Sequence, residues 1–280
     1  MLCVIGDLVE DVVVRLSQSI VPGSDSPAVI DRRLGGSAAN VAVAAAAAGC
    51  ATRFIGRVGD DLLGAQLVEQ LEDAEVDARV QHGRGRTGSV VVLVEVDGER
   101  TMLPDRAAST QLRDVDASSV DGVTWLHVPA YSLCAEPIGT TTRALARHVR
   151  RRWGRISVDV SSVAVVRQFG VDAFADALRE LQPDVVFANA PEAELVRALG
   201  LPLLVVKRGA DPVELVHGDG RTEQVAVDAV DGVRDTTGAG DAFAGGYLVA
   251  LLGGAETTQA AAAGAVAAAT VLRANSVDPE

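Results

Sequence analysis

Short apolar runs of strand length recur along this chain between helical patterns, and that alternation most limits the folds open to it. The runs lie at 2–5, 123–128, 156–160, 185–188 and 203–207. Strands buried on both faces read as continuous apolar segments, so the spacing predicts a Rossmann-like α/β fold, a mainly parallel sheet sandwiched by helices. The intervening segments supply those helices. Between 138 and 153, apolar positions 138, 145, 149 and 153 share one face, while Arg143, Arg147, Arg150 and Arg151 fall elsewhere, as a solvated face. A chain of 280 residues, 48% hydrophobic, has ample length for such a core and is excluded from the disordered class.

Two stretches break the rhythm. Residues about 11–34 contain Val12-Val13-Val14-Arg15-Leu16 and Ala28-Val29-Ile30-Asp31 around a Ser, Pro and Gly segment. Residues about 88–105 contain Ser89-Val90-Val91-Val92-Leu93-Val94, an Asp97-Gly98 turn and Glu99-Arg100-Thr101-Met102-Leu103, the pattern of a β-hairpin. Together they form either a small separate sheet over one end of the main body or extra edge strands of the main sheet. A separate sheet would act as a lid that excludes water from a reacting group. Its alternating apolar residues would leave a face suited to a homodimer.

The chemistry concentrates in Asp235-Thr236-Thr237-Gly238-Ala239-Gly240-Asp241-Ala242-Phe243. The small residues at 238–240 let the backbone turn tightly onto a ligand, and the apolar run that follows reads as a buried helix. Its N-terminal amides would lack intrahelical partners and could hold a phosphate, although no Gly-Lys-Ser/Thr follows to make this a P-loop. Asp241 in that first turn would repel phosphate unless it had another task, and accepting a proton from an attacking hydroxyl is one. The helix dipole favours its ionised form, which predicts a weak base and late proton transfer. The bland reading is a structural turn with an N-cap Asp.

Gly35-Gly36-Ser37-Ala38-Ala39-Asn40 precedes an Ala-rich helix at 41–48 and permits close backbone approach, with Asn40 offering both donor and acceptor; a structural helix start explains it as well. In the stretch 56–64, Asp60 or Asp61 reads as the N-cap of the helix carrying Leu63, Leu67 and Leu71. Asn189-Ala190-Pro191-Glu192 closes an apolar strand, with Pro191 placed to begin a helix. An amide and a carboxylate at the carboxyl edge of a parallel sheet can order the waters of Mg²⁺, or can simply start a helix.

The net charge of −13 argues against nucleic acid and anionic membranes as partners, without excluding an anionic small substrate at a local site. Cys3, Cys50 and Cys134 are too scattered for a disulfide framework, and the four histidines show no ligand spacing. The chain opens on strand-like residues, and its longest uncharged run, 257–272, is short for a bilayer, so a cytoplasmic location is expected.

The order of these pieces resembles the ribokinase-like (PfkB) carbohydrate kinases, from Gly6 to about Ser276. The 235–243 stretch matches that family's C-terminal signature, Gly35-Gly36 its N-terminal glycine pair and Asn189-Ala190-Pro191-Glu192 its Asn-x-x-Glu motif. The resemblance implies one kinase domain over 1–280 with a β-sheet lid, transferring the γ-phosphoryl group of ATP to an alcohol with Mg²⁺. It implies Asp241 as base, the amides of Gly238, Ala239, Gly240 and Asp241 as anion hole, and Asn189 and Glu192 beside Mg²⁺ and phosphates. Asp11 resembles the residue that binds a substrate hydroxyl, with Gly35, Gly36 and Asn40 beside it. Asp235 and Thr237 resemble part of a K⁺ site in some members, but Arg273-Ala274-Asn275-Ser276 departs from the rest of that site. Arg106, in Asp105-Arg106-Ala107-Ala108, is open to two readings, a bidentate partner for a sugar-acid carboxylate or a lid-base ion pair with Asp105 or Glu99. A sugar or sugar acid is the expected substrate. A nucleoside, with Tyr131 and Phe169 as base-stacking candidates, is the alternative, and a sensor without turnover the third reading.

Overall fold

The computed structural model describes residues 1–96, 99–233 and 235–275. In chain order its strands are β1 (Leu2–Ile5), β2 (Val9–Leu16), β3 (Ala28–Gly35), β4 (Thr52–Gly59), β5 (Asp77–Gly83), β6 (Gly88–Val94) and β7 (Arg100–Asp105). They continue with β8 (Trp125–Pro129), β9 (Arg155–Asp159), β10 (Val185–Asn189), β11 (Leu203–Lys207), β12 (Val213–His217) and β13 (Thr222–Val225). The helices are α1 (Ser37–Ala47), α2 (Leu62–Asp73), α3 (Ile138–Arg151), α4 (Val163–Phe169), α5 (Val171–Leu181), α6 (Ala190–Val196), α7 (Ala239–Leu252) and α8 (Thr257–Asn275).

Nine strands form the large sheet in the order β13-β12-β11-β10-β9-β8-β1-β4-β5. From β5 to β11 every pairing is parallel, and β12 and β13 finish that edge antiparallel. The apolar runs follow from this burial. In β1, Leu2 and Val4 enter one core while Cys3 and Ile5 enter the other, and all four are fully buried. Val185 and Phe187 of β10 face the first core, and Val186 and Ala188 the second. A two-sided sheet thus spends every residue of these strands on packing.

The strands that sequence periodicity did not single out lie toward the sheet's two ends. β4 carries Arg53, Gly56, Arg57 and Gly59 within its length, while β5 and β13 are largely polar edge strands, so none reads as an apolar run.

The small sheet is separate from the large one, in the order β3-β2-β6-β7, with β2 parallel to β6 and the outer pairs antiparallel. The 88–105 hairpin forms, closing on Val94 opposite Arg100 and a Glu95 N–H bond to the Glu99 carbonyl at 2.8 Å. Its expected Asp97-Gly98 turn lies outside the described residues, as does Ser276.

Two local expectations resolve differently. α3 ends at Arg151, and Trp153, expected on its buried face, is 95% exposed with a φ of 63°. The N–H groups of Trp153 and Gly154 turn back onto the carbonyls of Arg150 and Val149, both at 3.0 Å, reversing the chain into β9 before another helical turn can form. The arginine face is solvated and ion-paired, Arg147 to Glu180 at 2.6 Å and Arg150 to Asp184 at 3.0 Å. Asp61 is the cap of α2, its Oδ1 accepting from the Gly64 N–H at 2.8 Å and its two oxygens also taking the Thr87 hydroxyl and N–H.

Close helix packing places α7. A Cβ on Gly245 would stand 3.0 Å from the Ala44 Cβ of α1, and one on Gly246 2.8 Å from the Ala267 Cβ of α8. These small residues let α7 lie against both neighbours, which carries its first turn to the carboxyl edge of the large sheet.

Candidate active site

α7 starts from a tight turn. The Thr237 N–H donates to Asp235 Oδ1 at 2.8 Å, Gly238 takes a φ of 78°, and the Ala242 N–H reaches back to the Gly238 carbonyl at 2.8 Å. A residue with a side chain would be strained at Gly238, so the glycine is needed where the chain bends into the helix. Ala239, Gly240 and Asp241 make the first turn; the Ala239 N–H closes the turn on the Thr236 carbonyl at 3.2 Å, and the amides that follow belong to the first helical turn, where intrahelical acceptors are lacking.

Asp241 is held from a second helix N-terminus. Ser37 Oγ donates to its Oδ1 at 2.7 Å and Asn40 Nδ2 to its Oδ2 at 2.9 Å, both from the start of α1. The glycine pair makes that possible. Gly36 has a φ of 97°, and a Cβ there would sit 2.4 Å from the Asp7 carbonyl oxygen. Desolvation pushes the Asp241 carboxyl up to about 6, against the Ser37 and Asn40 hydrogen bonds. The helix-dipole argument predicted the opposite sign. Burial outweighs it, and a base with that pKa is still ionised at neutral pH but more basic than an exposed aspartate.

Asp11 on β2 shares this cleft. It packs on bare backbone, since a Cβ on Gly35 of the neighbouring strand would fall 2.2 Å from Asp11 Oδ1. It is 5% exposed, and burial pushes its carboxyl up to about 6, with the charges of Asp241 and Asp235 adding to the rise and Arg33 opposing it. Asp11, Gly35, Gly36, Asn40 and Asp241 are thus brought together.

Asn189 and Glu192 form a reciprocal capping box at the start of α6. The Glu192 N–H donates to Asn189 Oδ1 at 2.9 Å, while the Asn189 N–H and Nδ2 donate to the two Glu192 oxygens at 2.8 and 2.9 Å. The structural reading of this motif, a helix start, is the one these bonds display. The Glu192 carboxyl is buried, and its pKa is raised first by desolvation and then by the Asp159 charge.

Sequence reasoning missed the pair that flanks them. Asp159 ends β9 and Lys207 ends β11, on either side of β10, and Lys207 Nζ meets Asp159 Oδ2 at 2.6 Å. Burial works against the ammonium, but the charge and hydrogen bond of Asp159, joined by the charges of Glu192 and Asp241, together outweigh it and hold Lys207 above its ordinary range. The amine also borders the anion turn, because a Cβ on Gly240 would lie 3.3 Å from Nζ. The signal was present in sequence as apolar strands each ending in one charge, at the sheet edge where α/β proteins bind ligands.

Arg106 matches neither of its expected ion pairs. Its Nε and one terminal nitrogen donate to the two Asp7 oxygens at 2.6 and 2.8 Å, the same nitrogen also reaches the Tyr131 carbonyl at 2.9 Å, and Asp105 pairs instead with Arg86. The guanidinium lies 5.6 Å from the Tyr131 ring centre. Phe169 packs against the core below α4.

Asp235 is 1% exposed, and three guanidinium groups from the small sheet surround it. Arg33 lies at 3.1 Å, Arg100 at 3.6 Å and Arg15 at 4.0 Å. No group of three or more His, Cys, Asp or Glu side chains suited to caging a metal occurs among the described residues, and none of their helices is long and apolar enough to cross a membrane.

The whole chain, residues 1–280, matches the family model described as pfkB family carbohydrate kinase. It is 33% identical over 236 residues to a fructokinase of Klebsiella pneumoniae, covering 78% of this chain and 76% of that protein. It is 30% identical over 239 residues to an aminoimidazole riboside kinase of Salmonella typhimurium, covering 78% and 73%. The structure of an adenosine kinase from Sinorhizobium meliloti superposes with a TM-score of 0.86 at 24% identity over 97% of this chain and 93% of that one, a likeness of fold.

Proposed function

Because the chain belongs to the pfkB family of carbohydrate kinases, we propose that it transfers the γ-phosphoryl group of ATP to a hydroxyl of a small sugar, with Asp241 as the base. The observation that carries this reading is Asp241 itself, fixed by Ser37 and Asn40 at the mouth of the 238–241 turn with its carboxyl pushed up to about 6. A carboxylate held there can take the proton of an attacking hydroxyl while the amides of Gly238, Ala239, Gly240 and Asp241 face the phosphoryl oxygens. Lys207 stands beside the same amides and would neutralise charge on the transferring group, with Asp159 keeping the ammonium aimed.

The donor set at the edge of β10 suits a hydrated Mg²⁺ brought on the nucleotide. Glu192 and Asp159 place two carboxylates there against the single charge of Lys207, and Asn189 adds an amide. Mg²⁺ bound there would supply charge neutralisation on the phosphates, with Asn189 and Glu192 meeting its waters.

At the acceptor end, Asp11 would accept from a sugar hydroxyl, with Gly35, Gly36 and Asn40 beside it. Arg106 faces inward to Asp7 with both ends of its fork engaged, which favours a neutral sugar over a sugar acid. The likeness to a fructokinase makes fructose the first compound to try. A riboside is the second, supported by the likeness to an aminoimidazole riboside kinase and by Tyr131 at the same cleft. The test is ADP release from MgATP with fructose, other hexoses, pentoses, ketodeoxy sugar acids and nucleosides, run beside Asp241→Asn. Turnover with one compound that the variant loses supports the reading. Binding of sugar or ATP without ADP release from any compound favours a sensor.

The small sheet would close as a lid, residues 1–280 acting as one catalytic unit. Its apolar positions Val29, Ile30, Met102 and Leu103 are each about half exposed and would pair two lids in a homodimer. Three free thiols, Cys3, Cys50 and Cys134, fit a cytoplasmic enzyme.

A further inference from the structure

The oxygens that family resemblance marks for a monovalent cation are engaged by donors of this chain. Asp235 Oδ1 accepts from the Thr237 N–H at 2.8 Å, and its Oδ2 accepts from Arg33 at 3.1 Å. The Thr237 hydroxyl oxygen accepts from Arg100 at 3.1 Å. The carbonyls of Asp235 and Thr237 both accept from Asn275 Nδ2, at 3.3 and 3.0 Å, and Asn275 Oδ1 in turn lies 3.5 Å from Arg33. A potassium ion is held by several oxygens that present lone pairs and no protons. Here each of those oxygens already accepts an N–H, and positive charge already occupies the place, one carboxylate standing among the guanidinium groups of Arg33, Arg100 and Arg15. The residues do not fit the ion.

We infer that Arg33 takes the place of a monovalent cation in this chain, holding Asp235 and through it the anion turn, so that nucleotide binding and turnover do not depend on K⁺. The coupling runs through few atoms. Arg33 fixes Asp235 Oδ2, Asp235 Oδ1 fixes the Thr237 amide, and the next residue is Gly238, where the chain enters the anion hole. Guanidinium suits the task because it is charged at every working pH and its fork spans both Asp235 and Asn275. Arg33 is a positioning residue, since it acts through Asp235 and touches no reacting atom.

The inference rests on the kinase reading, and its test needs no sugar substrate. MgADP affinity is measured by calorimetry in KCl and in tetramethylammonium chloride at equal ionic strength, for the wild type, Arg33→Lys and Arg33→Met. The wild-type dissociation constants are expected to agree within about twofold between the salts. Arg33→Met is expected to bind roughly tenfold more weakly in tetramethylammonium and to recover in KCl, where the ion can enter beside Asp235, while Arg33→Lys stays close to wild type in both. A wild type that binds about tenfold tighter in KCl overturns the inference, whether or not Arg33→Met folds. So does an equal loss in both salts for a folded Arg33→Met, which would reduce Arg33 to packing. No MgADP binding in either salt removes the kinase reading and this inference with it. Equal wild-type binding in both salts with a salt-rescued Arg33→Met supports it even if every sugar tested is inert.

Discussion

At the scale of single residues the site depends on carboxylates kept in places that do not favour their charge. Asp241→Asn is expected to lower kcat by roughly 10²–10⁴, the span of a positioned base, and ADP release checks it. The same variant should melt higher near pH 7.5, by about 2–4 °C, because it removes a desolvated charge. The sign follows from the raised pKa. Stability linked to Asp241 is full below the ordinary aspartate pKa and is lost as pH rises through about 6, so the neutral isostere gains most above that pH. Activity runs the other way, and kcat/KM should fall on the acid side of about pH 6 as the base takes up a proton. Lys207 lowers the Asp241 pKa, so Lys207→Met should move that acid limb to higher pH and cut kcat/KM for MgATP by roughly 10–10³. An unmoved limb would remove Lys207 from the site. The contiguous 235–243 stretch was legible because turn, helix start and the proposed base lie in nine neighbouring positions. Asp159 and Lys207 were not, because each is a lone charge and only the β9-β10-β11 order makes them neighbours.

At the scale of elements, local chemistry that closes within one segment read correctly. The α2 cap, the Pro191 helix start and the hairpin strands all depend on residues a few positions apart. Asp61→Ala should cost about 1–3 kcal/mol in urea unfolding with kcat kept near wild type, since the bonds of Asp61 go to the α2 cap and to Thr87. A fall in kcat as large as that of Asp241→Asn would move Asp61 out of the scaffold. Gly35→Ala should act oppositely, raising KM for the sugar by at least about tenfold with little change for ATP, because its Cβ would displace the Asp11 carboxylate. Elements whose character is set by distant partners were less legible. β4 and β5 belong to the large sheet by pairing with β1 and with each other, which their mixed residues do not announce. Trp153 obeyed the helical period but lies past the end of α3, where its own φ of 63° turns the chain back.

At the scale of the molecule, a mainly parallel sheet divides two cores and delivers Asp159, Asn189 and Lys207 to one edge, while a second sheet carries Asp11 and Arg33. The exposed apolar face of that second sheet sets the expectation for assembly. Light scattering at micromolar concentration should return a dimer mass, and Ile30→Lys with Leu103→Lys should return a monomer with its fold intact. A wild-type monomer would leave those side chains without a lid-to-lid role. The β2–β3 register has a wider consequence. Asp11 stands directly opposite Arg33, so one strand pair carries both the carboxylate proposed to meet the sugar and the guanidinium proposed to steady the phosphate end. A chimera that borrows this hairpin from a relative to change sugar preference would import that relative's ionic requirements in the same cassette, and taste for substrate and appetite for salt would be inherited as one trait.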